Sequence, residues 1–245
     1  MFRQKPLFFL ILPLLILILS FISSIGYTGF FDSLELSLEK DIGRDTYESI
    51  IAEMAVVQLE PEDEERLQSI FSRLVNACRR KDELDFTLTV VKEDSVNAFA
   101  LPAGYIFVHT GLLKYVQNDG ELAGVLAHEI AHVDRKHSMD SIKRQIGMSL
   151  ILQLVLDKNK SEEMIAKIGA FAINMAQLGY SREAEFEADR YGVIFMEKAG
   201  FCREDILGFW RRMVEETGEQ DVPEFLQLFS THPPTSERIE KIESM

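Results

Sequence analysis

Two histidines four residues apart inside a run of small and apolar residues, His128-Glu129-Ile130-Ala131-His132, restrict this chain more than any other feature. On a helix they lie on one face, one turn apart. Asn118, Asp119 and Gly120 form a helix-start signal, and Leu122, Val125, Leu126, Ile130 and Val133 follow at helical spacing. Ala123, Gly124, Ala127 and Ala131 are small enough to let a neighbouring element come close. A fold built around that helix must bury two imidazoles, and buried polar groups without partners are costly. They need polar partners or a shared metal ion. The plainer reading, an accidental pair on a surface helix, sits poorly with a chain that has only five histidines.

Zinc suits such a pair, because imidazole is a usual ligand and three protein ligands leave a position for water. The ion would lower that water's pKa to roughly 7 and polarise a carbonyl, and Glu129 could take the proton. A third ligand is required. His137 falls one residue short of the elongated zinc-protease spacing, whose glycine and third-histidine positions here hold Arg135 and Ser138. On a continuing helix it would also point away from the pair, which assigns it to the surface or to the surroundings of the site. The helix opened by Ser181 and stopped by Gly200 offers more, since Glu185, Ala188, Asp189 and Gly192 share one of its faces. There Glu185 can ligate, and Asp189, one turn on, can hold the outer nitrogen of a ligating histidine. A solvated acidic helix in a chain of net charge −14 fits the same spacing. Spacing alone leaves both open.

Other segments add candidates. Pro233-Pro234 pins His232 to an extended conformation, as a rigid catalytic group or as a turn before the last helix. Asp85 to Val91 alternates apolar and polar like a half-buried strand, Tyr105 to His109 is a second strand candidate, and Pro102-Ala103-Gly104 is turn chemistry. Proline places this hairpin at a sheet edge. Such an edge can hold an extended peptide, or it can be purely structural.

The three motifs His128-Glu129-x-x-His132, Ser181-Arg182-x-x-Glu185-x-Glu187-Ala188-Asp189 and Thr231-His232-Pro233-Pro234-Thr235-Ser236-Glu237-Arg238-Ile239 stand in one order that resembles the M48 family of zinc metallopeptidases. The resemblance runs from about residue 65 to the C-terminus. It implies one Zn2+ per chain on His128, His132 and Glu185, with Glu129 as the catalytic glutamate. Asp189 matches the aspartate of the family's Glu-Ala-Asp element. His232 and Arg238 match a histidine and an arginine near the active site, used on the oxyanion or as an extra contact to the metal. Residues 97–111 match the strand region before the zinc helix, which makes Asn97, Ala98, Phe99 and Ala100 the substrate-binding candidates.

The N-terminus bears on the compartment. Arg3 and Lys5 precede an uncharged stretch from Pro6 to Phe31, and acids follow from Asp32, the pattern of a chain with its N-terminus inside and its bulk outside the cytoplasm. Residues 1–31 read as a signal anchor or a cleaved signal peptide. Residues 32–64 read as an acidic helical lead-in, and 65–245 as the peptidase domain. A helix opening at Glu60-Pro61 buries Leu67, Ile70, Phe71, Leu74, Val75 and Cys78, and is expected to end in Arg79, Arg80 and Lys81. Cys78 is then a core thiol, and a disulfide to Cys202 is possible but not implied. The apolar runs Ile146 to Leu156 and Ile165 to Leu178 fit a helical pair over the cleft or a membrane-dipping element.

Roughly 215 residues beyond the N-terminal segment suffice for one well-buried domain. The expected fold is α+β and mainly helical, a zincin-like metalloprotease domain with a small edge-exposed β-sheet beside the zinc-binding helix. Acidic balance without a basic stripe excludes nucleic acid. The function implied is a zinc endopeptidase acting on unfolded or misfolded proteins in quality control at the extracytoplasmic, periplasmic face of a bacterial inner membrane. The other class is a metal-bearing chaperone or adaptor that binds extended chains and cleaves rarely. An intact Glu129 favours the first.

Overall fold

The computed structural model describes residues 32–147, 168–170, 172–173, 179–217, 226, 228, 231–233 and 236–245. Expectations for the N-terminal segment 1–31 lie outside the described residues, as do most of those for the two apolar runs between 146 and 178. Among the described residues, no helix is long and apolar enough to cross a membrane. The chain divides into two compact units, Met1–Leu38 and Glu39–Met245. Residues 32–38 of the first are helical.

In the second unit the first helix, α1 (39–53), buries Ile42, Thr46 and Ile50, spaced one turn apart. Helix α2 (Pro61–Ala77) begins with a proline and three acids in its first turn, and buries Leu67, Ile70, Phe71 and Leu74. The basic residues expected at its end are not part of it. Cys78 turns extended, and Arg79–Asp82 form a separate 3₁₀ turn. The backbone amides of Arg79 and Arg80 donate to Asp134 instead of continuing the helix. Arg80 is buried and donates two charge-assisted bonds to Glu39 at 2.9 and 2.7 Å, so a charge expected at a helix end is an internal tie. Cys78 is a buried free thiol whose pKa burial pushes up to about 11, and Cys202 is also free.

A three-stranded sheet follows, made of β1 (Thr87–Val91), β2 (Ala98–Ala100) and β3 (Tyr105–His109), in the order β1-β3-β2. The two longer strands run parallel, while β2 and β3 form the antiparallel hairpin. The turn at 102–104 works because Ala103 and Gly104 both take positive φ, 65° and 93°. For alanine that conformation is strained, and the amide of Ala103 is held by Glu39 at 3.3 Å. The short strand β2 therefore forms one sheet edge.

The remaining helices are α3 (Thr110–Tyr115), α4 (Asp119–Asp134), α5 (His137–Ile146), α6 (Arg182–Lys198), α7 (Arg203–Thr217) and α8 (Ser236–Glu243). Helix α4 is the axis of the unit, buried from Gly120 to Asp134 and capped by Asn118, whose side chain accepts from the Glu121 amide. Glycines let its neighbours close in. A Cβ on Gly192 of α6 would come within 3.3 Å of the His128 backbone, and one on Gly124 would meet Ile206 of α7 at 2.6 Å. The histidine helix thus lies among the edge strand β2 and the helices α2, α6 and α7.

Candidate active site

Four donor side chains from three parts of the chain meet beside α4. His128 and His132 come from α4, Glu185 from α6 and His232 from the segment before α8; one ligand atom from each lies within 4.8 Å of the others, and all four residues are buried. The Nε2 atoms of His128 and His132 are 3.0 Å apart. The Glu185 carboxylate lies 3.3 Å from the first and 3.5 Å from the second. Nδ1 of His232 lies 3.0 Å from Oε1 of Glu185 and 3.3 Å from Nε2 of His128.

Local structure explains each placement. Ser181 caps α6 by accepting from the Ala184 amide, which sets Glu185 in the first turn. His232 is fixed through its backbone, its amide donating to Leu228 at 2.8 Å and its carbonyl accepting from Nη1 of Arg238 at 2.9 Å.

Burial and close neighbours set the electrostatics of the cluster. Burial and the neighbouring His128 push the pKa of His132 well below the ordinary range. Against the same burial, Asp189 and Glu185 hold His128 up at about 9. Glu185 stays well below the usual carboxylate range despite its burial, because His232 and His128 face it. Beside the cluster Glu129 is fully buried, which raises its pKa. Neither of its oxygens has a well-formed hydrogen bond among the described residues. Nε2 of His232 stands 3.4 Å away, and the Ala100 amide is the backbone group facing it. A buried carboxylate this weakly hydrogen-bonded is costly unless something else engages it. Three imidazoles and a carboxylate turned toward one point form a donor set of the kind zinc takes.

Behind the cluster, Asp189 Oδ1 lies 3.0 Å from Nδ1 of His128, an ion-pair contact somewhat off the hydrogen-bond line. Arg238 in turn holds Asp189 with two bonds of 2.7 Å, and also reaches Glu185 Oε2 at 3.0 Å. Of the four substrate-binding candidates, Ala98, Phe99 and Ala100 form the edge strand, and Asn97 immediately precedes it. The bonds from Leu101 to Tyr105 and from His109 to Asn97 mark Asn97, Phe99 and Leu101 as the residues paired to β3. Because paired and unpaired positions alternate, the backbone groups of Ala98 and Ala100 point away from β3, at positions that are themselves buried. Phe99 stacks on Phe107 at 5.0 Å and joins a core cluster. One position earlier on the edge, the carbonyl of Val96 accepts from the Leu228 amide at 3.0 Å.

The chain matches Peptidase family M48 over residues 61–245. It is a member of the M48 peptidase family. Its zincin-like, mainly helical α+β fold follows from that membership. Among similar proteins, the mitochondrial metalloendopeptidase OMA1 of Schizosaccharomyces pombe is 31% identical over 216 residues, covering 87% of this chain and 62% of the relative. A putative beta-barrel assembly-enhancing protease of Vibrio cholerae is 33% identical over 203 residues, covering 80% of this chain and 41% of the relative. The beta-barrel assembly-enhancing protease of Escherichia coli is 26% identical over 181 residues, covering 71% and 37%. The M48 chain thus spans less than two thirds of the length of each of these three relatives.

Two site residues escaped the reading of this M48 sequence. Tyr180 is half-buried and stacks on His132 with ring centroids 4.1 Å apart, its hydroxyl 2.6 Å from Ser138 Oγ. Its only signal was an aromatic next to the Ser181 cap. Trp210, the single tryptophan, lies under Arg238 at 5.1 Å and edge-on to His128. It reads from sequence as an ordinary core residue of α7.

Proposed function

We propose that this M48 chain is a zinc-dependent endopeptidase, a reading carried by the convergence of His128, His132 and Glu185 next to the buried carboxylate of Glu129. Those three residues would hold the ion, and His232 completes a set of four donors. When bound, zinc would activate a water and polarise a peptide carbonyl. Glu129 takes up the proton and returns it to the leaving amine; burial, by raising its pKa, suits it to both halves of that task. The outer side of β2 at Ala98 and Ala100 would pair with an extended substrate, whose backbone then runs past Glu129. Extended pairing needs an unfolded segment, so misfolded or unassembled proteins are the substrate class.

Nδ1 of His232 lies among the donors and its Nε2 beside Glu129. This favours His232 as a brake, filling the place where water and substrate must enter, over a role as oxyanion donor. Arg238 positions rather than reacts, its guanidinium committed to Asp189, Glu185 and two backbone carbonyls.

The basic-then-apolar N-terminus and the beta-barrel assembly-enhancing relatives support protein quality control at the periplasmic face of the inner membrane. Incubating the zinc-loaded full chain with unfolded casein, beside a Glu129→Gln control, tests the proposal. Cleavage by the first and none by the second is expected. Equal cleavage by both would remove Glu129 from the chemistry.

A further inference from the structure

The two histidines of α4 are oriented in unlike ways. His128 turns its outer nitrogen to the buried carboxylate of Asp189. His132 turns Nε2 into the cluster, 3.0 Å from Nε2 of His128, and its outer Nδ1 meets, among the described residues, no carboxylate but Nδ1 of His137 at 2.9 Å. Nε2 of His137 continues to Oε2 of Glu187 at 3.1 Å, and Nε of Arg135 holds Oε1 of the same carboxylate at 2.9 Å. His137 is buried, whereas Glu187 lies near the surface, with 39% of its side chain exposed.

A backbone break makes the contact. On an unbroken helix, five residues would set His137 about 140° around from His132, since each residue turns about 100°. Helix α4 stops at Asp134, Lys136 takes a left-handed conformation with φ of 60°, and His137 starts α5 folded back over the site. The neighbouring Ser138 bonds the hydroxyl of Tyr180, whose ring stacks on His132. Two consecutive residues of α5 thus brace one imidazole, from its edge and through its face.

Proton bookkeeping along the chain allows a single arrangement of neutral rings. Glu187 only accepts, so His137 carries its proton on Nε2. Nδ1 of His137 is then a lone pair, and His132 must donate to it from Nδ1. That leaves Nε2 of His132 unprotonated and aimed at the other donors.

We propose that His137 is a positioning residue for the metal centre, its Nδ1 fixing the tautomer and ring angle of His132 while Glu187 fixes the tautomer of His137. The inference rests on the zinc reading above. It assigns to a neutral imidazole the work that a carboxylate performs for His128.

The test measures zinc affinity of the full chain by chelator competition, and the visible spectrum of the cobalt-substituted protein as a report on ligand geometry. His137→Ala is expected to weaken zinc binding by about 10–100-fold, the usual cost of losing an orienting partner, and to alter the cobalt spectrum. His137→Asn, whose side-chain oxygen can stand near the lost Nδ1, should recover most of the affinity. If His137→Ala does not fold, Glu187→Ala carries the test, with a several-fold loss expected and unchanged affinity overturning the inference. A wild type that takes up no zinc, or a His132→Ala variant that keeps it, would overturn the zinc reading and this inference with it. A wild type that binds, with His137→Ala equal to it, overturns this inference alone. Equal losses in His137→Ala and His137→Asn would reduce His137 to packing and also overturn it.

Discussion

Arg238 grips Asp189 through two parallel hydrogen bonds, Nε to Oδ2 and Nη2 to Oδ1, each 2.7 Å long, between residues 49 positions apart and both buried. The pair ties α8 to α6 directly behind His128. Fork-on-fork geometry of this kind is among the stronger side-chain contacts. Its removal from one side leaves an uncompensated buried charge.

Arg238→Met should therefore destabilise the protein by about 3–5 kcal/mol, the usual cost of breaking a buried pair from one side. The double variant Arg238→Met with Asp189→Asn should be less destabilised than the sum of the two single variants, because both act on one interaction. Urea midpoints of the four proteins, measured on metal-free samples, check both statements. Additive losses would mean that the two groups act independently.

Loss of metal should separate the ligands from the base. His128→Ala, His132→Ala and Glu185→Ala are each expected to abolish zinc binding or weaken it greatly, while Glu129→Gln keeps the ion and loses cleavage. Asp189→Asn should lower affinity by about 10–100-fold without unfolding the domain. Elemental analysis and competitive chelator titration measure these outcomes. Full zinc in His132→Ala would sink the assignment.

The two roles open to His232 give opposite kinetics. Its place among the donor atoms predicts that His232→Ala leaves kcat on a short peptide unchanged or raises it, since a closing group is removed. An oxyanion donor would instead show kcat falling by about 10²–10³-fold with little change in KM. Steady-state kinetics of the zinc-loaded variant decide between them.

His109 gives a pH dependence away from the metal cluster. It is buried, its Nδ1 bonds Ser95 Oγ at 2.7 Å, and burial lowers its pKa to about 4. The unfolded chain binds this proton near pH 6.5 and the folded chain does not until about pH 4. Its contribution to stability is thus fully present above pH 6.5 and is lost as pH falls from there toward 4, by about 1.4 kcal/mol per pH unit. Metal-free urea unfolding across that window should show a shallower slope for His109→Gln than for the wild type. Identical slopes would mean that His109 titrates alike in both states.

Much of the site was legible in the residues because its signals are local. A helical period placed His128 and His132 on one face, a serine cap and a three-and-four step placed Glu185 and Asp189 on another, and a Pro-Pro pair marked His232. The turn at Pro102-Ala103-Gly104 was likewise written in its own chemistry. What pairs with what was not local. Parallel pairing of β1 with β3 depends on a crossover, and β2, three residues long, carries too little pattern to announce itself as a strand. Arg80 looked like a helix-end charge because its partner Glu39 lies 41 residues earlier. His137 looked misplaced because a left-handed Lys136 redirects the chain, and lysine carries no sign that it will adopt that conformation. The long helices and the donor types follow from the residues alone, since period, caps and prolines act within a turn or two. That His232 stands among the donors, that Arg238 spends its charge on Asp189 and that His132 leans on His137 follow from the folded chain, because each depends on which distant segments share one buried volume.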